Sequence, residues 1–344
     1  MTSTELPTLK AKDFTTDQDV RWCPGCGDYA VLAAVRKVLP TLGHKKEDYV
    51  FVSGIGCAAR FPYYMETYGL HSIHGRAPAF ATGIKIANPG LQVWLVSGDG
   101  DLLSIGGNHT IHLLRRNIDV NVLLLNNRIY GLTKGQASPT SERGKITKST
   151  PVGSPDRPMN PLTLALGAGA TFVARSIDVD LKHMDAMMKR CADHCGTSFL
   201  EIYQDCNIFN HEAWFYASQK ETKAQNTIQL EHGKPMIFAD ESKGLRLNDL
   251  SLEVIELGGE YSQSDVLVHD ETNRTQAFLL AQLSYPDYPE PMGVLYRNPD
   301  TKLTQPVEQV LKDQVAQAKQ QREADLQALI RGRETWEVVE NDDE

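Results

Sequence analysis

The chain has 344 residues, of which 41% are hydrophobic and 23% are charged, and its formal net charge is -9. The composition is that of a soluble globular protein, and the length allows one large domain or two modest ones with a buried core. The acidic balance argues against a nucleic-acid-binding protein, because such proteins need a basic surface.

Residues 1–20 are polar, and we expect them to form a loosely held N-terminal arm. This segment has no secretory signal, and no stretch of the sequence approaches the length of a transmembrane helix. A cytoplasmic protein with no membrane partner is therefore expected. In that compartment the six cysteines should stay reduced, as spectators, metal ligands or catalysts rather than disulfides.

A Cys-x-x-Cys turn, formed by Cys23 and Cys26, directly precedes an apolar helical pattern that runs from Asp28 to about Leu39. Asp28 is a candidate cap for this helix, since its side chain can accept from the free amides of the first turn. Three kinds of site compete for the cysteine pair: structural zinc, a redox dithiol, and two ligands of an iron–sulfur cluster. A zinc ribbon needs a second pair of ligands and a thioredoxin-like dithiol needs a βαβ setting, and the sequence shows neither.

The next buried strand is predicted at 49–53, and a glycine-rich turn that holds Cys57 follows it. The glycines let the backbone approach a ligand closely, whereas the alternative for Cys57 is a small buried hydrophobic residue. Further on, His74 and Arg76 flank a glycine near a predicted helix start, which would suit an anionic ligand. We expect His71 to be a solvated loop residue.

Two predicted strands end in polar turns that form the most informative motif of the sequence. The apolar run 93–96 ends at the acidic turn 98–101, GDGD, and the run 120–125 ends at the asparagine turn 126–127. Neighbouring parallel strands would bring both turns to one sheet edge, where ligands of open α/β sheets bind. Their oxygen atoms suit Mg²⁺, and Mg²⁺ suits a diphosphate. The alternative is an ordinary strand-turn-helix-strand unit, because Gly, Asp and Asn favour turns for backbone reasons alone.

The remaining sequence contains a long loop, a fourth candidate cysteine and a change of pattern. The loop 133–161 carries more basic than acidic residues, so it is either a site for a carboxylate or the phosphates of coenzyme A, or a solvated surface loop. The predicted strand 198–203 leads to Cys206. Residues 211–300 should form an extension that packs on the core and on a partner subunit, and 301–344 should form an amphipathic helix and an acidic tail.

Several phrases of the sequence resemble the β subunits of 2-oxoacid:ferredoxin oxidoreductases, and most closely the 2-oxoglutarate branch: WCPGCGDYAVL, GIGCAARFPYY, HSIHGRAPAFATGIKIANP, GDGDLLSIGGNH, NNRIYGLTKGQASPT and YQDCN. The GDG and NN pair, with 25 residues between its two parts, resembles the diphosphate-binding motif of thiamine diphosphate enzymes. The resemblance covers about residues 20–300. It implies an α/β fold, doubly wound, with a mainly parallel sheet of the diphosphate-domain type over residues 21–210.

The resemblance also implies roles for individual residues. The ligands of a [4Fe-4S] cluster would be Cys23, Cys26, Cys57 and Cys206, and the Mg²⁺ ligands would be Asp99, Asn127 and the backbone carbonyl of Ile129. Positions around thiamine diphosphate would be Ile55, Gly56, Cys57, Ala58, His74, Gly98, Asp99, Gly100, Asp101, Asn127, Gly131 and Leu132. The catalytic residues would be Arg60, His74 and Lys134, of which Arg60 and Lys134 would lie near the substrate and coenzyme A.

The implied reaction is the oxidative decarboxylation of 2-oxoglutarate with coenzyme A to succinyl-CoA and CO₂, with electrons passing through the cluster to ferredoxin, or its reverse. The sequence shows one cofactor-binding domain where thiamine enzymes use two, so the resemblance implies an α subunit in an (αβ)₂ assembly. Three alternatives stay open. They are a pyruvate or other 2-oxoacid branch, a non-oxidative thiamine decarboxylase or carboligase with a structural metal, and a non-catalytic electron-transfer subunit.

Overall fold

An eight-stranded sheet lies at the centre of the computed structural model, which describes residues 9–298 and 307–332. The strands in chain order are β1 (Tyr49–Ser53), β2 (Tyr68–His71), β3 (Gln92–Gly98), β4 (Asn121–Asn126), β5 (Phe172–Ile177), β6 (Ser198–Tyr203), β7 (Thr227–Leu230), β8 (Ile237–Phe238), β9 (Lys243–Asn248), β10 (Ser251–Glu256) and β11 (Glu290–Arg297). The order in the sheet is β2-β1-β3-β4-β6-β5-β11-β7. The first six strands of that order are parallel, and β11 is antiparallel to β5, so the mainly parallel α/β fold is confirmed.

Helices cover both faces of the sheet, as the doubly wound pattern requires. They are α1 (Asp28–Val38), α2 (Ala77–Ala87), α3 (Gly107–Arg116), α4 (Pro161–Gly167), α5 (Leu181–Ala192), α6 (Phe215–Ser218), α7 (Lys220–Asn226), α8 (Arg274–Ala281) and α9 (Val307–Arg331). Side chains of α1 and α5 belong to the hydrophobic core on one face, and those of α2, α3, α4 and α8 belong to the core on the other. Among the described helices, none is both long enough and apolar enough to cross a bilayer.

Burial on both faces explains why the central strands are continuous apolar runs. In β1, for example, Phe51 points into one core and Val52 into the other, and Trp94 and Leu95 of β3 alternate in the same way. Every residue of β1, β4, β5 and β6 is buried. The polar residues that end these strands are therefore the first positions at which the sheet can meet a ligand.

Two segments differ from their expected structure. The described part of the N-terminal arm is held by the core, because Phe14 is completely buried and Thr15 forms a β-bridge with Met65. The expected extension 211–300 contributes β7 and β11 to the central sheet, and β8, β9 and β10 form a second, antiparallel sheet. The amphipathic helix predicted near the carboxyl end is α9, which lies against α2. The acidic tail beyond residue 332 lies outside the described residues.

Candidate functional site

The turns that follow β1, β3, β4 and β6 lie at one edge of the sheet. These four strands are neighbours and parallel, and the register pairs Gly98 with Leu125 and Asn126 with Tyr203. The glycine-rich turn, the GDGD turn, the asparagine turn and the segment that carries Cys206 therefore converge, as expected for the carboxyl ends of parallel strands.

Asp99, the first aspartate of GDGD, is held by two hydroxyl groups from the loop that follows the asparagine turn. Ser138 Oγ and Thr140 Oγ1 each donate to Asp99 Oδ2 at 2.5 Å. Burial raises the pKa of this carboxyl group to about 6, and the two hydroxyl groups act in the opposite direction. Thr140 Oγ1 also lies 2.9 Å from Asn126 Oδ1, so one side chain touches both turns.

The asparagine turn, which Thr140 joins to Asp99, carries further oxygen atoms. Asn127 Nδ2 donates to Gln204 Oε1 at 2.8 Å, and the backbone N of Ile129 donates to Asn127 Oδ1 at 3.1 Å. Carboxylate, amide and backbone oxygens of two adjacent turns are the ligand set that a hard cation prefers. The residues present therefore fit a Mg²⁺ site at this edge.

Asp101, the second aspartate of GDGD, joins three segments of the edge. Its Oδ1 accepts from the backbone N of Ile55 at 3.0 Å and of Gly75 at 2.7 Å, and it lies 2.5 Å from His74 Nδ1. A Cβ atom on Gly54 would lie only 1.9 Å from Asp101 Oδ2, so a glycine is required there. Asp101 thus fixes the Cys57 turn and His74 relative to β3.

The four predicted cluster cysteines lie near one another and none forms a disulfide. A Cβ atom built on Gly131 would lie 3.5 Å from Cys206 Sγ and 3.7 Å from Cys57 Sγ, so both thiols face this glycine. Burial, together with the charges of Asp28, Cys206 and Cys23, raises the pKa of Cys57 to about 12. Burial likewise raises the pKa of Cys26 and Cys206. Thiols that are disfavoured as isolated thiolates fit a cationic metal group that would compensate their charge.

Within residues 9–298 and 307–332, no three His, Cys, Asp or Glu side chains converge on the position of a single metal ion.

Asp28 does not cap α1 as expected. Gly27 precedes the helix without a side-chain cap, and Asp28 is its first residue. The carboxyl group is 1% exposed, its Oδ1 has no hydrogen-bond partner among the described residues, and burial raises its pKa to about 7. Nearby, Asp178 Oδ2 accepts from the backbone N of Asp205 at 2.8 Å, next to Cys206.

A cavity of about 590 Å³ lies beside the turn that carries Cys57, and Ile55, Gly56, Arg60 and Leu132 line it. His71 also lines it; this residue is exposed, as expected, but it is the last residue of β2 and not part of a loop, and its Nδ1 lies 2.8 Å from the carbonyl oxygen of Ala59. The structure thus brings together four of the positions predicted for cofactor and substrate. Lys134, also predicted near the substrate, is not among the residues that line this cavity and lies on an exposed turn with a φ of 75°.

The other positions predicted around the cofactor lie on or beside the same turns. Ala58 is buried directly after Cys57, Gly98 ends β3, and Gly100 lies so close to Tyr130 that a Cβ atom there would be 2.2 Å from the ring. Tyr130 OH donates to the Gly100 carbonyl oxygen at 3.1 Å. This contact joins the GDGD turn to the chain just before Gly131.

A buried ion network lies behind the asparagine turn. Arg175 donates to Glu201 at 2.8 Å and to Glu290 at 2.7 Å, and all three side chains are at most 3% exposed. Asn126 Nδ2 donates to Glu201 Oε1 at 2.8 Å, and Tyr203 OH donates to Glu290 Oε2 at 2.9 Å. The network joins the asparagine turn to β5, β6 and β11.

Comparison with known proteins identifies the family. Residues 54–202 match the model of the "Thiamine pyrophosphate enzyme, C-terminal TPP binding domain". The chain is 49% identical over 336 residues to 2-oxoglutarate oxidoreductase subunit KorB of Mycobacterium tuberculosis, covering 96% of this chain and 88% of that protein. The chain belongs to the 2-oxoacid:ferredoxin oxidoreductase β-subunit family.

Two further comparisons agree with this assignment of the β subunit. The 2-oxoglutarate synthase subunit KorB of Methanocaldococcus jannaschii is 42% identical over 220 residues, which cover 62% of this chain and 81% of that protein. The solved structure of 2-oxoglutarate:ferredoxin oxidoreductase from Magnetococcus marinus, with 2-oxoglutarate, coenzyme A and succinyl-CoA bound, superimposes with a TM-score of 0.71 at 30% identity over 92% of both chains. The family and the thiamine diphosphate type of fold predicted from the sequence are confirmed, and the β subunit is part of an oxidoreductase.

Sequence reasoning missed several polar residues of this β subunit that hold the site in place. Ser138 and Thr140 bind Asp99, although nothing but their presence in a matched phrase distinguished them from other loop residues. Gln204 contacts both Asn127 and Cys26, with Nε2 3.4 Å from the Cys26 Sγ. The signals available for Gln204 were its position between β6 and Cys206 and its place in the matched phrase YQDCN.

Proposed function

We propose that this β subunit, together with an α subunit, catalyses the oxidative decarboxylation of 2-oxoglutarate with coenzyme A to succinyl-CoA and CO₂, or the reverse reaction. Electrons would pass through a [4Fe-4S] cluster to ferredoxin. The observation that carries this proposal is the meeting of an oxygen-rich turn pair and four cysteines at one sheet edge, with Gly131 between Cys57 and Cys206. The names of the relatives support 2-oxoglutarate as the substrate.

Each set of residues has a defined task in this proposal. Asp99, Asn127 and the carbonyl of Ile129 would hold the Mg²⁺ that binds the diphosphate. Cys23, Cys26, Cys57 and Cys206 would hold the cluster. When bound, thiamine diphosphate would supply the electron sink for loss of CO₂, and the cluster would take electrons one at a time.

The chain's own side chains would orient the substrate and close the edge to water. Arg60 in the cavity can pair with the distal carboxylate of 2-oxoglutarate, and Lys134 is a second candidate for a carboxylate or a coenzyme A phosphate. Asp101 fixes the imidazole ring of His74, which would place a hydrogen-bonding group beside the thiamine diphosphate. The isolated β subunit should be inactive, because an α subunit in an (αβ)₂ assembly would supply the other half of the site.

A metal-dependent binding experiment separates this proposal from a non-catalytic subunit that holds only a cluster. In the complex with the α subunit, Asp99→Ala should abolish Mg²⁺-dependent binding of thiamine diphosphate and leave the iron content unchanged. The exposed Asp156→Ala is a matched control and should change neither quantity. Wild-type complex that binds no thiamine diphosphate in Mg²⁺ would contradict the proposal, and colourless protein that holds zinc would favour a non-oxidative thiamine enzyme.

A further inference from the structure

Two hydroxyl groups bind one oxygen of Asp99, and both come from a segment distant in sequence. Ser138 Oγ and Thr140 Oγ1 each donate to Asp99 Oδ2 at 2.5 Å. The exposed fractions of Ser138, Thr140 and Asp99 are 8%, 2% and 1%. Contacts this deeply buried are not exchanged with water, so the two hydroxyl groups determine the direction in which the carboxylate points.

The same segment is anchored to the asparagine turn on its other side. Ser141 Oγ donates to the carbonyl oxygen of Arg128 at 2.6 Å, and the backbone N of Ser138 donates to Ser141 Oγ at 2.7 Å. Thr140 Oγ1 lies 2.9 Å from Asn126 Oδ1, which also accepts from the backbone N of Arg128 at 3.2 Å. The segment 138–141 therefore connects the turns that carry two of the proposed Mg²⁺ ligands.

Both hydroxyl groups use Oδ2, so neither of them uses Oδ1 of Asp99. A carboxylate held at one oxygen can present the other to a cation in a fixed direction without first losing side-chain entropy. Residues that orient a metal ligand in this way are worth about 10- to 100-fold in metal affinity.

We propose that Ser138 and Thr140 are positioning residues that aim Asp99 at Mg²⁺ and couple cation binding to ordering of the loop 133–141, which carries Lys134. The inference rests on the proposed function, since it assigns the partners of a residue proposed to bind the cation. The coupling is reciprocal: the two hydroxyl groups aim Asp99 at the cation, and a bound cation would in turn stabilise their contacts with Asp99 and with them the loop. Loop order and cation binding should then be lost together.

The test uses the complex of the chain with its α subunit, freed of Mg²⁺ with a chelator and supplied with saturating thiamine diphosphate. Calorimetric titration with MgCl₂ gives the half-saturation concentration, and hydrogen exchange of the 133–141 peptide reports loop order. Thr140→Val, which keeps the shape but removes the hydroxyl group, should raise the half-saturation concentration about 10- to 100-fold. In the wild type, Mg²⁺ should slow hydrogen exchange of the 133–141 peptide. In Thr140→Val, the Mg²⁺ concentration that is sufficient for the wild type should no longer slow it.

Two variants control for simple loss of packing. Thr140→Ser restores the hydroxyl group and should bring the half-saturation concentration back close to the wild-type value. Thr197→Val makes the same substitution at an equally buried threonine, which precedes β6 at the end away from the turns and donates to the carbonyl oxygen of Ile118 at 2.6 Å, and it should leave Mg²⁺ binding close to wild type.

An unchanged half-saturation concentration in folded Thr140→Val, or an equal rise in Thr197→Val, would overturn the inference. If Thr140→Val does not fold, as shown by loss of the cluster absorbance, Ser138→Ala replaces it in the test. This variant removes the other hydroxyl donor to Asp99, and an unchanged half-saturation concentration would again overturn the inference. Wild-type complex that shows no Mg²⁺-dependent binding would instead contradict the proposed function itself.

Discussion

Gly131→Ala adds one methyl group at the place where two of the four cysteines meet. The new Cβ atom would lie 3.5 Å from Cys206 Sγ and 3.7 Å from Cys57 Sγ, which is ordinary van der Waals contact with free thiols. The φ of Gly131 is not in the left-handed region, so alanine fits the backbone there. The free energy of unfolding of the iron-free chain should therefore change by less than about 1 kcal/mol.

With a cluster bound, iron and sulfide atoms would occupy the space between these two sulfur atoms, and the methyl group would crowd them. Crowding of this kind costs about 1–3 kcal/mol, here in the cluster-bound form only. This cost corresponds to a roughly 5- to 150-fold lower affinity for the cluster. Anaerobically purified complex, titrated with an iron chelator, should lose its absorbance near roughly 400 nm at correspondingly lower chelator concentrations.

Gly83→Ala is a matched control for the effect of the substitution itself. Gly83 lies on the exposed side of α2, and a Cβ atom there would meet nothing within 4 Å. It should stabilise the helix by about 0.5–1 kcal/mol and leave the iron unaffected. If Gly131→Ala holds its iron as firmly as Gly83→Ala does, no cluster is bound between Cys57 and Cys206.

Three further substitutions test other parts of the account. Arg175→Met should lower the free energy of unfolding by about 3–5 kcal/mol, measured in urea, because it leaves Glu201 and Glu290 as buried, unpaired charges; a loss below about 1 kcal/mol would contradict this role of Arg175. Burial raises the pKa of Asp178 from 3.8 to about 6, so the folded chain holds this proton more tightly than the unfolded chain does. The stabilisation from the bound proton is therefore full below about pH 4 and is lost as the pH rises through 6. Asp178→Asn should therefore gain about 2–3 kcal/mol relative to the wild type between pH 4 and pH 7, and parallel stability curves would refute this. Arg60→Ala should lower kcat/KM for 2-oxoglutarate about 10- to 150-fold more than for pyruvate, since only 2-oxoglutarate has a distal carboxylate, and an equal loss would remove Arg60 from substrate recognition.

The central strands and their terminal turns could be predicted because their signals are local. Strands buried on both faces must be continuously apolar, as 93–96 and 120–125 are, and the glycine, aspartate and asparagine residues after them mark where each strand ends. Parallel pairing then places those turns together without any further information. The meeting of the Asp99 and Asn127 turns follows from this rule alone.

The parts that could not be predicted depend on contacts between distant segments. The strand β11 joins the sheet through pairing with β5, which lies more than a hundred residues before it, and the short strand β7 joins through pairing with β11. Their apolar runs are too short to predict either pairing. Phe14 is one aromatic residue in a polar segment, so its burial has no periodic signal. The roles of Ser138 and Thr140 depend on how the loop folds back onto Asp99.

The cysteine site was accessible from sequence only in part. The local setting of Cys23, Cys26, Cys57 and Cys206 singled them out, because each lies in a turn before a helix or after a strand. The surrounding carboxyl groups were not recognised, since Asp28 has the spacing of a helix cap and no sequence pattern distinguishes a cap from a buried first-turn residue.

The most direct test of whether the cofactor and the cluster lie together at one sheet edge is to measure whether the substrate reduces the cluster. The complex of this chain with its α subunit is mixed anaerobically with 2-oxoglutarate, coenzyme A, Mg²⁺ and thiamine diphosphate, without an external electron acceptor. We expect the absorbance near roughly 400 nm to bleach in the wild type and to persist in Asp99→Ala. Complex with no such absorbance, or bleaching that is unchanged in Asp99→Ala, would contradict the account.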